Sequence, residues 1–322
     1  MRSGSRPVSK WAAGIVSVAC TLLLVACAGL DSMYSEQIAD GDYWNTSFSL
    51  AQRIDVASLV DADSGRPSAL SGFISAVAAQ GDDLYFIDTG SAMLVHVSLA
   101  AMSARTLASL PGANSSGLYA STDGSVYVAD TYNRQILRLD PMLGELDRFA
   151  LGHVLGNPAD LTLIESDRSL LVLDALDGRI AVLDVLGGLQ QLIEPQFFDP
   201  ATVSSATAID AGTGEIFLLD SGVDAIAGIG HDGYATGSYG GDDLQRVTAF
   251  AVDACRRFFV ADAHDGSLYI GVADMSLPGR RVELPALAGT ETADLWIDES
   301  FLYVATRASG IFVFAVDPVC AF

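Results

Sequence analysis

One motif recurs six times along the chain, and this repeat constrains the fold more than any other feature. Each copy is a short run of β-forming residues that closes on an aspartate, or on a threonine in the last copy. The closing residues are Asp88, Asp130, Asp174, Asp220, Asp262 and Thr306. Successive closing residues are 42, 44, 46, 42 and 44 positions apart. A period of this length is typical of propellers and solenoid arrays.

The order of features within each copy predicts four antiparallel strands. A short apolar strand precedes a polar turn, the run that closes on aspartate follows, and an alternating strand and a weaker strand complete the copy. No segment has a long helical period, which argues against helical and leucine-rich solenoids. The predicted fold is therefore all-β, a six-bladed β-propeller with four-stranded antiparallel blades. The closing aspartates are expected to accept hydrogen bonds from backbone N–H groups of the turn that follows.

The last copy stops after three strands, which would leave an unpaired sheet edge. An alternating segment, residues 49–56, precedes the first copy. We predict that this N-terminal segment supplies the fourth strand of the last blade and so closes the ring.

The second copy also resembles a known repeat family. Its segment Val126-Tyr-Val-Ala-Asp-Thr-Tyr-Asn-Arg-Gln-Ile136 is similar to the NHL repeat signature, and the other copies match more loosely. The resemblance extends over residues 73–318 and implies propeller blades. It implies no particular activity, because NHL-type propellers serve many functions.

The first residues have the layout of a secretory signal, with three basic residues before an apolar stretch. The stretch ends in Leu24-Val25-Ala26-Cys27, which resembles the bacterial lipobox. That resemblance implies cleavage before Cys27 and lipid on its thiol, and an ordinary signal peptide cut elsewhere is the alternative. The predicted organisation is a signal peptide over residues 1–27, a flexible tether over 28–47 and the propeller over 48–322. Ala28 follows the cysteine, which favours the outer membrane of the cell envelope.

The charge of the chain limits the classes of molecule that it can bind. Loss of the three basic signal residues takes the formal charge from −23 to −26, and the remaining chain has no lysine. Such a surface repels phosphate backbones, so nucleic-acid binding is not expected.

Cys255 and Cys320 remain after processing, in an oxidising compartment, and both are predicted to emerge on the same face of the disk. We predict a disulfide between them, with two separate thiols as the alternative.

Candidate chemistry lies at one mouth of the central channel. Alignment of the copies puts six residues on a ring there: Ser75, Gly117, Asp160, Thr207, Ala249 and Asp294. Asp160 and Asp294 belong to opposite blades, and two opposed carboxylates are candidate ligands for a hard cation such as Ca²⁺. The alternative is that both carboxylates face solvent in a wet channel. A resemblance to lactonase-type propellers implies that Asn114 and Asn157 would complete the shell, but that family's first-blade glutamate has no counterpart here.

No other catalytic set is evident. The four histidines fall at different places in their blades and have no metal-ligand spacing. The stretch 228–241, with Tyr234 and Tyr239, is predicted to be either a simple hairpin or an exposed protein contact. The favoured function is a non-catalytic scaffold lipoprotein that binds an envelope protein and carries no resident cofactor. The alternatives are a metal-dependent lactonase-like hydrolase or lyase, and a propeller that binds a small ligand or sugar.

Overall fold

The computed structural model describes residues 46–110, 117–140, 146–196, 206–211, 215–240, 244–264, 266–272, 279–308 and 310–317. Within these ranges the chain is β-structure with two single-turn 3-10 helices, Val56–Ser58 and Pro285–Leu287. No helix of the described residues is both long and apolar enough to cross a bilayer. The predicted signal peptide with Cys27, most of the predicted tether, Asn114 and Cys320 lie outside the described residues.

Six antiparallel four-stranded units confirm the predicted propeller. Blade 1 consists of β3 (Ile74–Gln80), β4 (Asp83–Asp88), β5 (Met93–Ser98) and β6 (Ser103–Ser109). Blade 2 consists of β7 (Leu118–Ala120), β8 (Val126–Asp130), β9 (Gln135–Leu139) and β10 (Leu146–Ala150). Blade 3 consists of β11 (Pro158–Ile164), β12 (Ser169–Asp174), β13 (Ile180–Asp184) and β14 (Leu189–Ile193).

The second half repeats the arrangement. Blade 4 consists of β15 (Ala206–Ala211), β16 (Ile216–Asp220), β17 (Ala225–Ile229) and β18 (Ala235–Gly240). Blade 5 consists of β19 (Val247–Val252), β20 (Arg257–Asp262), β21 (Ser267–Val272) and β22 (Arg280–Val282). Blade 6 consists of β23 (Thr292–Ile297), β24 (Phe301–Thr306), β25 (Gly310–Asp317) and β1 (Ser47–Ile54).

The pairing of β1 with β25 confirms the predicted closure of the ring. The two strands are antiparallel, with Ser47 opposite Asp317 and Ile54 opposite Ile311. Ile54 is fully buried, so the closing strand contributes to the core as well as to the hydrogen-bonded ladder. The sequence did not predict a further short strand, β2 (Val60–Asp61), which pairs in parallel with β6 and adds a fifth strand to blade 1.

The hydrophobic core lies between neighbouring blades. Phe86 and Val95 of blade 1 pack against Tyr303 and Val313 of blade 6 in one such layer. Because neighbouring blades cover both faces of each blade, the second strand of a blade is apolar at consecutive positions rather than at alternate ones. The run Leu84 to Asp88 is accordingly buried at every residue.

The closing aspartates have the predicted structural role, and they also bind a second segment. The Leu176 N–H of the following turn donates to Asp174 Oδ1 at 2.9 Å. Asp174 also accepts from the N–H groups of Gly156 and Asn157, in the loop that enters the same blade. Two further closing aspartates bind both segments in the same way, Asp88 and Asp262. At Thr306 the hydroxyl donates to the Gly310 carbonyl instead.

The two ends of the disk differ in what they carry. We call the end with the closing aspartates the aspartate face and the other end the opposite face. Because the first strand of each blade starts at the aspartate face, the turn between the first and second strands lies at the opposite face. The antiparallel pairing places the start of β1 and the end of β25 at the opposite face as well.

Candidate functional site

The first strands of the six blades line a central channel, and a bulge sets their register. In five blades one residue is skipped where the first strand pairs with the closing end of the second. Ser75 and Thr207 are two of these bulged residues, so the predicted ring is one residue out of register there. Their in-register equivalents are Ala76 and Ala208. Asp160, Ala249 and Asp294 occupy the ring as predicted.

Asp160 and Asp294 make the same pair of backbone contacts in opposite blades. Asp160 Oδ1 accepts from the Leu161 N–H at 2.9 Å, and its Oδ2 accepts from Ile209 of blade 4 at 2.8 Å. Asp294 likewise accepts from Leu295 of its own blade and from Val77 of blade 1 at 2.8 Å. Each carboxylate therefore joins its blade to the next one and satisfies channel-facing N–H groups that an inner strand edge leaves unpaired.

Asp210 of blade 4 makes the same kind of backbone contacts two residues beyond the ring position. The sequence analysis had not singled out this residue. Its Oδ1 accepts from the Ala211 N–H at 2.7 Å, and its Oδ2 accepts from Val252 of blade 5 at 2.7 Å. The Thr162 hydroxyl lies 3.3 Å from Asp210 Oδ1. An aspartate two residues beyond the ring position is the signal that could have revealed this residue.

These three carboxyls share a channel in which burial outweighs the stabilisation of their charge by backbone N–H groups. Burial raises the pKa of Asp160 to about 7, and the nearby charge of Asp210 adds to the shift. Burial also raises the pKa of Asp210 to about 6. Burial, and then the charge of Asp160, raise the pKa of Asp294 well above its ordinary value. Each of the three side chains is half-buried. The exposed part borders the channel, and protein surrounds the rest of the side chain.

The glycine at the blade 2 ring position makes room for Asp160. A Cβ on Gly117 would lie 2.6 Å from Asp160 Cα and 2.9 Å from Asp160 Oδ1. Because these distances are far inside van der Waals contact, a side chain at Gly117 requires blade 3 to move. Gly117 thus packs against a ring carboxylate, and its carbonyl accepts from the Ala129 N–H of β8.

Three cavities share lining residues from one face of the disk to the other. The aspartate-face mouth, of about 370 Å³, includes Asp160 and Asp294 with the bulged residues Ser75 and Thr207. Both carboxylates also line a central cavity of about 120 Å³. The central cavity shares Trp296 with the opposite-face mouth, which has about 600 Å³.

The opposite-face mouth combines carboxylates with aromatic walls. The carboxylates that line it are Asp82, Glu165, Asp253, Asp298 and Glu299. The aromatic residues that line it are Tyr119, Trp296 and Phe301. The Tyr119 and Trp296 rings meet edge to face, with centroids 5.0 Å apart. None of the described lining residues is basic.

The remaining predicted site residues do not gather around the two ring carboxylates. Asn157 uses its backbone N–H to bind Asp174 and is not among the described residues that line the aspartate-face mouth. His96 instead binds Asp83 in blade 1, with Nε2 2.6 Å from Oδ1. Across the described part of the chain, no group of three His, Cys, Asp or Glu side chains is arranged to hold a metal ion.

Cys255 lies in the turn between β19 and β20, at the opposite face, and is exposed. The predicted partner, Cys320, is outside the described residues, so the disulfide stays a prediction.

The predicted protein contact at Tyr234 and Tyr239 needs a correction. Tyr239 is buried in β18 with its ring centroid 4.6 Å from that of Phe258, and only Tyr234 is exposed.

The aspartate face carries a row of exposed apolar side chains that the sequence analysis did not anticipate. Tyr132 and Leu176 occupy the same position in the turns after the closing aspartates of blades 2 and 3, and each is 70% exposed. Val223, in the corresponding turn of blade 4, is 41% exposed, and Phe73, which leads into β3, is 55% exposed. We call these four residues the apolar arc. Several exposed apolar side chains on one face are candidates for an interaction site.

Known proteins match this chain in fold only. No protein-family model and no curated protein matches it, so the resemblance to NHL repeats stays a prediction. Virginiamycin B lyase from Staphylococcus aureus superposes with a TM-score of 0.62 at 12% identity, over 84% of this chain and 99% of that chain.

Two other propellers are similar. A protein of unknown function from Bacteroides thetaiotaomicron gives a TM-score of 0.66 at 14% identity, over 85% of this chain and 77% of that one. The WD40 domain of Doa1 gives 0.54 at 14% identity, over 75% and 78%. At these identities the similarity establishes the fold and leaves activity open.

Proposed function

We propose that the chain is a non-catalytic, lipid-anchored protein of the cell envelope whose propeller binds a protein partner. The observation that carries this proposal is the apolar arc on the aspartate face. Exposed apolar residues scattered singly are ordinary on a protein surface. Here three of them recur in the matching turn of three consecutive blades, and the fourth stands beside blade 1.

The frame around the arc suits a binding role. Asp174 fixes the turn that carries Leu176 to the entry loop of blade 3, and Asp130 accepts from the Asn133 N–H in the turn that carries Tyr132. These exposed tips therefore project from turns that hydrogen bonds hold in place. A surface that is already ordered loses little conformational entropy when a partner binds. Tyrosine is among the residues that most often dominate binding energy at protein interfaces. We therefore expect Tyr132 and Leu176, the most exposed members, to contribute most.

The proposals for the lipid anchor and the cellular location are based on the sequence. We infer that Cys27 is lipidated, that the tether joins the propeller at the start of β1, and that the protein resides at the outer membrane. A disulfide between Cys255 and Cys320 would fasten the C-terminal segment in that oxidising compartment. Replacement of Cys27 by serine tests the anchor. We expect the variant to appear in the soluble envelope fraction and to lack the mass of attached acyl chains, and an unchanged membrane fraction would contradict the lipid anchor.

Crosslinking in whole cells tests the docking face. We expect wild-type chain to crosslink to one defined partner, and the Tyr132→Ser/Leu176→Ser variant to lose that product. Leu186→Ser is the matched control, because Leu186 is 74% exposed in the same blade as Leu176 but lies in a turn at the opposite face. Equal loss in the control, or an undiminished product in the double variant, would rule out the aspartate face as the docking surface.

A second candidate function is metal-dependent hydrolysis or elimination with a cation such as Ca²⁺ between Asp160 and Asp294. The observation in its favour is that both carboxylates line one mouth and that each lacks a basic partner among the described lining residues, apart from Arg307 at the rim. Against it, each carboxylate already accepts two backbone N–H groups. Stoichiometric metal in protein purified without chelator, lost in both Asp160→Asn and Asp294→Asn, would support it. Metal-free protein would dismiss it.

A further inference from the structure

We infer that the opposite-face mouth is a second binding site, and that it takes an organic cation: a guanidinium or ammonium group carried on an apolar stem. The cavity is on the other side of the disk from the apolar arc and shares none of its residues. Its volume of about 600 Å³ is far larger than a bare metal ion needs and is within the range of small-molecule sites. This inference does not depend on the proposed docking function.

The carboxylates of the mouth divide into engaged and available groups. Asp253 forms a buried ion pair with Arg257, whose Nε lies 2.6 Å from Asp253 Oδ2. Glu165 accepts from the Thr122 N–H and lies 4.0 Å from Arg168. These two carboxylates are therefore committed to the scaffold.

Asp82 of blade 1 and Glu299 of blade 6 are the available carboxylates. Asp82 and Glu299 are exposed in the first turns of these two adjacent blades, and neither forms an ion pair with any described residue. Asp298, next to Glu299, accepts from the N–H groups of Ser300 and Phe301 at 2.7 Å and from the Tyr303 hydroxyl at 3.2 Å. Its oxygens are therefore engaged, but no cation of the described chain offsets its charge. The mouth thus presents an excess of negative charge on one side.

The aromatic residues lie on that same side. Trp296 and Phe301 belong to the first and second strands of blade 6 and are half-buried, so part of each ring borders the cavity. Aromatic faces attract cations and also pack against an alkyl stem. Carboxylates beside aromatic rings favour an organic cation, whereas Ca²⁺ prefers a shell of oxygen ligands alone.

This chain does not supply the cation itself. No lysine follows residue 10, and every segment outside the described ranges after that residue lacks arginine, lysine and histidine. Residues 28–45, which precede β1, instead carry Asp31, Glu36, Asp40 and Asp42. The guanidinium or ammonium group must therefore come from another molecule, either a free amine or a basic side chain of a peptide.

Titration calorimetry on the full chain in a non-ionic detergent tests the site. The probes are agmatine for a free amine, N-acetylarginine amide for a basic side chain, and N-acetylcitrulline amide as the uncharged isostere. We expect at least one cationic probe to bind one site per chain, and the citrulline probe to bind at least tenfold more weakly. If both cationic probes fail to bind, or if citrulline binds equally well, the inference is wrong.

Variants test whether the probes bind at the opposite-face mouth or are attracted by the negative charge of the whole surface. Asp82→Asn with Glu299→Gln removes two exposed charges from turns, and we expect about tenfold weaker binding, equivalent to about 1.4 kcal/mol. Asp63→Asn is the matched control, because Asp63 is 76% exposed in the turn after β2 and does not line the mouth. Phe301→Leu should weaken binding two- to fivefold while it keeps an apolar side chain in place. An equal loss in Asp63→Asn, or no loss in the double variant, would overturn the assignment.

Discussion

Replacement of Gly117 by alanine tests whether the channel ring is packed as the register indicates. The added methyl would lie 2.6 Å from Asp160 Cα, 2.9 Å from Asp160 Oδ1 and 2.9 Å from the Leu161 nitrogen. Carbon atoms in favourable contact are about 3.5–4.0 Å apart, so the start of β11 would have to retreat by roughly 1 Å. Two of the three nearest atoms are backbone, and a side-chain rotation cannot relieve the contact.

The expected cost follows from that geometry. Overpacking of this kind typically costs about 1–3 kcal/mol. A shift of Asp160 would also weaken its hydrogen bond from Ile209, which is worth about 1 kcal/mol. We therefore expect the free energy of unfolding to fall by about 2–3 kcal/mol. For a domain of this size each kcal/mol lowers Tm by about 2–4 °C, so Tm should fall by about 4–12 °C.

Gly152→Ala is the matched control. A Cβ there would meet only the Arg134 side chain, at 3.8 Å and 3.9 Å, and the backbone is outside the left-handed region. Circular dichroism melts and guanidinium chloride unfolding of both variants would measure the difference. We expect Gly152→Ala to stay within about 0.5 kcal/mol of wild type. The reasoning is refuted if the two variants are equally stable, or if Asp160→Ala fully restores Gly117→Ala, because the closest atom is the Asp160 Cα.

Two further predictions concern pH and ring closure. Because the folded-state pKa values of Asp160 and Asp210 lie near 7 and 6, above the ordinary value of 3.8, their stabilising contribution is present below about pH 4. It is lost as pH rises through 6 and 7. In the presence of EDTA we expect Tm to fall more between pH 5 and 8 for wild type than for Asp210→Asn, and parallel curves would contradict this. For ring closure, Ile54→Ala should cost about 2–5 kcal/mol in urea unfolding, because Ile54 is fully buried. Leu50→Ala, 49% exposed in the same strand, should cost less than about 1 kcal/mol, and similar losses would argue against the closing strand.

The sequence predicted the architecture because propeller folding is encoded locally. Each blade needs only its own four β-forming runs and the turns between them, so a period of 42–46 residues is enough to identify the blades. The N-terminal closing strand was also predictable, since a three-stranded last blade would leave an edge unpaired. By contrast, the bulge in the first strands of blades 1 and 4 put the ring at Ala76 and Ala208 instead of Ser75 and Thr207, because residue identity alone does not reveal a skipped pairing.

The candidate sites depended on distances between residues of different blades. The sequence by itself determined six blades, their order and the structural role of the closing aspartates, since each of these follows from contacts between neighbours in the chain. The closing strand joins the two ends of the chain, and it was predictable because the three-stranded last copy leaves an unpaired edge. Only the tertiary structure revealed that Asp160 and Asp294 bind to the backbone of the next blade. It alone also revealed that Asp82 and Glu299 flank an aromatic mouth, and that apolar turns of successive blades align on one face. Residues dozens or hundreds of positions apart meet only when the ring closes, and no local pattern records which side chains then share a surface.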